Sequence, residues 1–356
     1  MNAPIETTLR TTRQLAAAGV LGDDPALDRV AARYAVAVTA SMAAVIAAEG
    51  RDGPVGRQYL PTAAELITAA DEVGDPTGDE AHSPVKGIVH RYPDRALLMP
   101  TQVCAVYCRF CFRRERVGPE AGALDDAALA AALGYIEGQP QIWEVILSGG
   151  DPLVLSPRRL THIVASLDRI AHVATIRIHS RVPVAAPERI TDAVLAALAA
   201  TQKPVYLVVH CNHAAELTTA ARAALRRVRD AGVTVLAQSV LLKGVNDTEA
   251  ALENLFRGLL SAGAKPYYLH HLDPAPGTSH FAVPIERGRA LMKALRGRVS
   301  GLALPTYILD VPGGSGKIPV GPDYVRGVDG GYTVVEGLDR RHHRITPNES
   351  TTDGSH

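Results

Sequence analysis

Six times between Ala96 and Leu295 a short apolar run gives way to a stretch with helical spacing, and this alternation restricts the fold more than any other property of the sequence. The apolar runs are Ala96–Thr101, Glu144–Leu147, Thr175–His179, Val205–Cys211, Val233–Val240 and Pro266–Leu272. The helical stretches between and after them are Asp125–Glu137, Pro157–Ile170, Pro187–Ala199, Ala214–Asp230, Thr248–Ser261 and Pro284–Leu295. Strand-then-helix units whose strands are apolar on both faces predict an α/β fold, a parallel sheet covered by helices. Polar, glycine-rich and charged residues follow the ends of successive strands. That placement favours a curved, partial (β/α)6 barrel over an open doubly wound sheet, because such barrels carry their sites there.

The flanks read differently. Residues 1–88 form an N-terminal helical region, with alanine-rich helical spacing over Thr8–Ala18, Pro25–Glu49 (capped by Asp23 or Asp24) and Thr62–Ala70. Asp71–Pro84 reads as a linker or surface loop. This region is expected to serve packing and subunit contact. The barrel occupies 89–300, and 301–356 is a C-terminal segment with one more strand-like run, Pro305–Leu309, and a loose tail after Gly337.

Lys plus Arg and Asp plus Glu both number 37, so no charge imbalance points to nucleic acid or a membrane surface. No apolar run reaches the roughly 18 to 20 residues of a membrane span. The first residues lack a basic-then-apolar leader, and a cytoplasmic protein is the expectation.

Cys104, Cys108 and Cys111 lie four and three residues apart directly after the first strand, and the chain has one other cysteine, Cys211. Three thiolates on one loop can share a metal centre. A structural zinc wants four protein ligands, whereas an iron–sulfur cube held by three leaves one iron open to a substrate or cofactor. The alternatives are a zinc completed by Cys211 or a histidine, or reduced core thiols. The CxxxCxxC spacing resembles that of the radical S-adenosylmethionine (radical SAM) enzymes.

Ser148-Gly149-Gly150-Asp151 follows the second strand. Alone it is a turn; after that strand it resembles the element with which radical SAM enzymes hold the amino group of S-adenosylmethionine, the glycines admitting close backbone approach and Asp151 supplying an acceptor. Gly313-Gly314-Ser315-Gly316-Lys317 departs from a phosphate loop, with Val311 in place of the first glycine and Ile318 in place of Ser or Thr. A lysine framed by glycines and prolines can instead present an amine for a Schiff base, although most lysines are surface charges.

Together Cys104–Arg114, the preceding His90–Arg95, Ser148–Leu153, Gln238–Asp247 and Asp310–Lys317 resemble the lysine 2,3-aminomutase family, a likeness running from about His90 to Pro319, about two thirds of the chain. The resemblance implies that Cys104, Cys108 and Cys111 bind a 4Fe-4S cluster whose open iron chelates S-adenosylmethionine, with Ser148, Gly149, Gly150, Asp151 and Gln238 at the cofactor. It implies that Lys317 carries pyridoxal 5′-phosphate (PLP), that Arg113 pairs with the substrate carboxylate, and that Asp273 and Asp310 clamp the side-chain ammonium of lysine. The implied reaction moves the α-amino group of free L-lysine to C3, giving β-lysine, by way of a 5′-deoxyadenosyl radical and a PLP imine. An electron donor such as flavodoxin or ferredoxin and a homo-oligomeric state belong to the same expectation.

Two departures matter. No cysteine follows Cys211, and Thr248 stands where the clostridial-type enzymes of the family have a zinc ligand, so their structural zinc is not expected here. His270–Phe281 resembles the branch that acts on a lysine of elongation factor P, whereas Asp310 before Val-Pro-Gly-Gly-Ser-Gly-Lys follows the free-lysine pattern. Free lysine is therefore the expected substrate and elongation factor P the alternative. Lys317→Ala is expected to lose covalent PLP while keeping the cluster; PLP still fixed to the variant by borohydride would show that another lysine carries it.

Overall fold

The computed structural model describes residues 7–22 and 24–346. Four helices precede the barrel: α1 (Thr12–Ala17), α2 (Pro25–Arg33), α3 (Ala40–Glu49) and α4 (Pro54–Tyr59). Thr11 and Gln14 close a capping box on α1, and Asp24 caps α2; Asp23, the other cap candidate, lies outside the described residues. The single helix expected over Pro25–Glu49 is two. Its alanine-rich spacing hides a break at Tyr34–Thr39, where Val38 bridges to Leu9 and Thr39 caps α3. Only a short 3-10 turn, Ala63–Leu66, forms in the expected Thr62–Ala70 helix.

The barrel strands are β1 (Ile88–Tyr92), β2 (Arg95–Thr101), β3 (Glu144–Gly149), β4 (Thr175–Ser180), β5 (Val205–His210), β6 (Thr234–Val240), β7 (Lys265–His270), β8 (Thr306–Val311) and β9 (Gly316–Pro319). They form one sheet in sequence order. β2 to β8 run parallel, while β1 pairs antiparallel with β2, and β9 with β8. Between the parallel strands lie α5 (Asp126–Glu137), α6 (Pro157–Arg169), the short α7 (Val182–Ala185) with α8 (Asp192–Leu198), α9 (Thr219–Asp230), α10 (Glu249–Ser261) and α11 (Ile285–Leu295). All nine strands contribute residues to one cavity, so the sheet curls round it as the sequence predicts. The end strands do not pair with each other, and the barrel stays partial.

The strands are not apolar on both faces. Val145, Leu147, Ile176, Ile178, Leu207, Val209 and Leu269 pack beneath the helices in the main core. The alternate positions, among them Ser148, Arg177, His179, His210, Gln238 and His270, face the cavity. A barrel that encloses polar ligands needs this two-residue alternation, in contrast to the buried open sheet whose strands are apolar throughout.

The N-terminal helices have their own apolar cluster, built on Leu15, Leu27, Met42 and Ile46 and reaching Val106 of the cysteine loop and Ala185 of α7. They also anchor that loop through charge. Arg109, 1% exposed, puts Nε 3.0 Å and Nη2 2.5 Å from Glu65 Oε2, and donates through Nη1 to Ala35 O at 2.8 Å. Arg114 joins the same Glu65 oxygen and lies 3.6 Å over the Tyr34 ring. Burial pushes the Glu65 carboxyl up, but Arg109 and Arg114 outweigh it and hold it below its ordinary range.

Past β9 the chain forms an antiparallel meander, β10 (Val325–Asp329), β11 (Tyr332–Glu336) and β12 (His342–Ile345). The tail after Gly337 is therefore ordered through β12; residues 347–356 lie outside the described part. Gly330 and Gly331, at φ 55° and 81°, make the tight turn that a side chain disfavours, and Lys293 of α11 meets Glu336 at 2.6 Å. Among the described residues, no helix is long and apolar enough to cross a membrane. Glu65→Leu, which strands two buried guanidiniums, is expected to lower stability by roughly 3 to 5 kcal/mol; an unchanged urea midpoint for the metal-free protein would contradict this anchoring.

Candidate active site

Cys104, Cys108 and Cys111 line a cavity of about 550 Å³ whose wall also includes Lys317, Asp273, Asp310, Arg113 and Gln238. The cysteine loop joins β2 to α5, and two backbone bonds to the end of β3 hold its start. Gly150 N–H donates to Thr101 O at 2.8 Å and Asp151 N–H to Val103 O at 2.9 Å. A Cβ on Gly149 would stand 2.7 Å from Thr101 O, and one on Gly150 2.4 Å from Val103 O. The paired glycines thus let β3 close against the chain leading into Cys104.

The side chain of Asp151, at the cavity wall, is already engaged by neighbouring donors. It is buried and takes Ser180 Oγ at 2.7 Å, Arg181 N–H at 2.7 Å, Leu153 N–H at 3.0 Å and Val182 N–H at 3.2 Å. Four donors saturate the carboxylate, so its work is to pin the end of β4 to the end of β3. The backbone of Ser148, Gly149 and Gly150 remains at the cavity wall.

Burial pushes all three thiols up, Cys111 to about 11; Cys108 adds to the load on Cys104 and Cys111, and Cys111 to that on Cys104, while Arg181 offsets part of the rise at Cys108. Such thiols stay protonated until a metal displaces the protons. Among the described residues no three His, Cys, Asp or Glu side chains gather closely enough to hold a single ion. All three thiols line the same cavity. Cys211, just past β5, is buried in the main core and donates to His213 O at 3.4 Å.

Lys317 stands on β9, opposite Asp310 of β8 in the antiparallel register, and its Nζ is bonded to Asp310 Oδ1. The glycine loop before it ends at Ser315, so a strand and not a loop carries the amine; its N–H donates to Tyr92 Oη at 2.7 Å. Arg91 lies 3.6 Å from Asp310 and His270 3.7 Å. Burial pushes the Asp310 carboxyl up, but His270 and Lys317 bring it down to about 2. Burial pushes the Asp273 carboxyl up as well, and there it prevails, to about 7: the charge on Asp310 adds to it while Lys317, Arg113 and Arg91 offset only part.

Arg113 donates through Nε to Asp79 at 2.8 Å and lies 2.7 Å from it through Nη2; Arg91 meets the other Asp79 oxygen at 3.0 Å. The Asp71–Pro84 segment, expected at the surface, therefore places Thr77 and a buried Asp79 in the cavity wall, drawn in by two guanidiniums. No spacing or composition marks Asp79 in the sequence. Arg181 was also missed, although it follows a strand end where charged residues are informative. His179, His210 and His270 face the cavity, and burial holds all three below the ordinary imidazole range, so they are neutral near pH 7.

The cavity has the room of a small-molecule site. Three half-buried thiols on its wall fit a cluster. An amine on a rigid strand, with unpartnered nitrogens on Arg91, His179 and His270 beside it, fits a polar ligand such as PLP. Residues 98–255 match the radical SAM superfamily model and residues 292–335 the lysine-2,3-aminomutase model. The chain is 41% identical over 290 residues to L-lysine 2,3-aminomutases of Acetoanaerobium sticklandii and Clostridium subterminale, covering 82% of this chain and 70% of each relative. It is 40% identical to that of Escherichia coli over 269 residues, 76% of this chain and 78% of the relative. With these matches spanning both the cysteine loop and Lys317, the chain belongs to the lysine 2,3-aminomutase family of radical SAM isomerases, whose cofactors are a 4Fe-4S cluster, S-adenosylmethionine and PLP.

Proposed function

We propose that this enzyme moves the α-amino group of free L-lysine to C3, giving β-lysine, with Cys104, Cys108 and Cys111 holding the cluster and Lys317 holding PLP. The carrying observation is that Asp273 and Asp310 share one cavity with Lys317 and the three thiols. The ion pair between Lys317 Nζ and Asp310 is an internal stand-in: it is a lysine ammonium seated on that carboxylate inside the cavity. A substrate with a neutral side chain would leave buried carboxylates uncompensated, which disfavours it.

When bound, the cluster and S-adenosylmethionine supply an organic radical, and PLP supplies a ring that delocalises an unpaired electron. The chain supplies the rest. Lys317 must be deprotonated at Nζ to bond an aldehyde carbon, and losing that ammonium frees Asp310 for the ammonium of the substrate. Asp273, titrating at about 7, can hold a proton at its carboxyl while the site is empty and release it when a cation arrives. Arg113, oriented by Asp79, presents its remaining guanidinium nitrogen to the substrate carboxylate.

Gln238 and the Ser148–Gly150 backbone belong to this proposal as contacts of S-adenosylmethionine. A one-electron carrier such as flavodoxin or ferredoxin suits the need of the cluster for single electrons, and an oxygen-sensitive cluster suits the cytoplasm. Exposed Val325, Val328 and Ile345 on the C-terminal meander support a homo-oligomer.

Anaerobic assay with S-adenosylmethionine, PLP and reductant is expected to convert free L-lysine in preference to L-arginine or a lysine of elongation factor P. Preference for the protein substrate would replace this reading with the alternative. Asp310→Ala is expected to weaken lysine binding by roughly 3 to 5 kcal/mol with little effect on S-adenosylmethionine; equal losses would remove the clamp.

The acids also set a pH dependence. The folded pKa of Asp273, about 7, lies above its unfolded value of about 3.9, so the native state binds the extra proton and stability falls as pH rises between those values. Asp310, held at about 2, loses its contribution only as pH falls below about 4. Urea unfolding of metal- and PLP-free Asp273→Asn is therefore expected to show a gain over the parent that grows from pH 4 to 7 and then levels off. A difference independent of pH would contradict the shift.

A further inference from the structure

Among the described residues, Cys108 is the cluster cysteine whose sulfur receives a side-chain donor: Arg181 Nη1 lies 3.1 Å from its Sγ. The other terminal nitrogen, Nη2, lies 2.6 Å from Glu216 Oε2 and also meets Gln58. Glu216 is fully buried and accepts from Tyr59 Oη at 3.1 Å, Gln58 Nε2 at 3.2 Å and the N–H groups of Asn212 and His213, both at 2.9 Å. Asp151 fixes the Arg181 backbone. The pair is therefore held from α4, the end of β3, the end of β4 and the turn after β5. This much buried polar structure behind one sulfur exceeds what packing requires.

We propose that the Arg181–Glu216 pair sets the reduction potential of the cluster. Reduction takes the 4Fe-4S cluster from its 2+ to its 1+ state by one electron from an external reductant, with no proton and no bond change. A guanidinium bonded to a ligand sulfur stabilises the added negative charge and raises the potential. The carboxylate behind it opposes that effect, and the balance fixes the value. Arg181 is a tuning residue here, acting through Cys108. The inference rests on the cluster assignment and not on the choice of substrate.

The test is an electron paramagnetic resonance redox titration of the anaerobically reconstituted full chain with dithionite, with iron and sulfide counted in each variant. Arg181→Gln is expected to become harder to reduce by at least tenfold, about 59 mV for one electron. Arg181→Lys is expected to fall between that variant and the parent. Glu216→Gln is expected to shift in the opposite, positive direction. Opposite signs support the proposal; shifts of one sign in both, or none in either, overturn it. Should Arg181→Gln hold no cluster, Arg181→Lys and Glu216→Gln decide the matter, and unchanged potentials in those two overturn it. A parent chain that binds no cluster would sink the proposed function, whereas a loaded cluster insensitive to the pair sinks this inference alone.

Discussion

The antiparallel return of β9 onto β8 is the constraint on which the site depends. The reversal brings Lys317 back beside Asp310, level with the carboxyl ends where the cysteine loop begins. Gly313, Gly314 and Gly316, all at positive φ, make the reversal possible, and Gly78 packs against it so closely that a Cβ there would stand 2.8 Å from Gly313 C. One loop geometry thereby decides whether amine and thiols share a space.

Charge is the second organising principle. Burying Arg109, Arg114 and Arg181, and half-burying Arg91 and Arg113, would be costly if each were alone. Glu65, Glu216 and Asp79 lie against them, and those acids come from the N-terminal region or from the turn after β5. Among the described residues Asp273 makes no ion pair, and burial beside the Asp310 charge raises its proton affinity. Two carboxyls on one cavity wall suit a cationic side chain such as that of lysine.

The parts legible in the sequence were those with a short-range signature. The barrel follows from alternating strands and helices, and the three cysteines and Lys317 from local spacing and glycine content. The break between α2 and α3 was hidden because alanine fits either backbone and Thr39 declares itself only as a cap. Asp79 and Glu216 acquire meaning from arginines tens or more residues away, a relation no local pattern carries. Gly149 and Gly150 were identified, but the partner they approach is the chain before Cys104, and Asp151 is occupied in holding β4. The inner polarity of the strands was missed because Val and Ile on the outward face dominate the reading.

The proposed reaction requires an electron-fed cluster and an amine-bound cofactor to act on one molecule in one cavity. The direct measurement is mass spectrometry of 5′-deoxyadenosine formed when the reduced, fully loaded enzyme turns over L-lysine deuterated at C3. Deuterium in that product is the expected result. 5′-Deoxyadenosine formed at the same rate without deuterium would show that the two halves of the site do not meet.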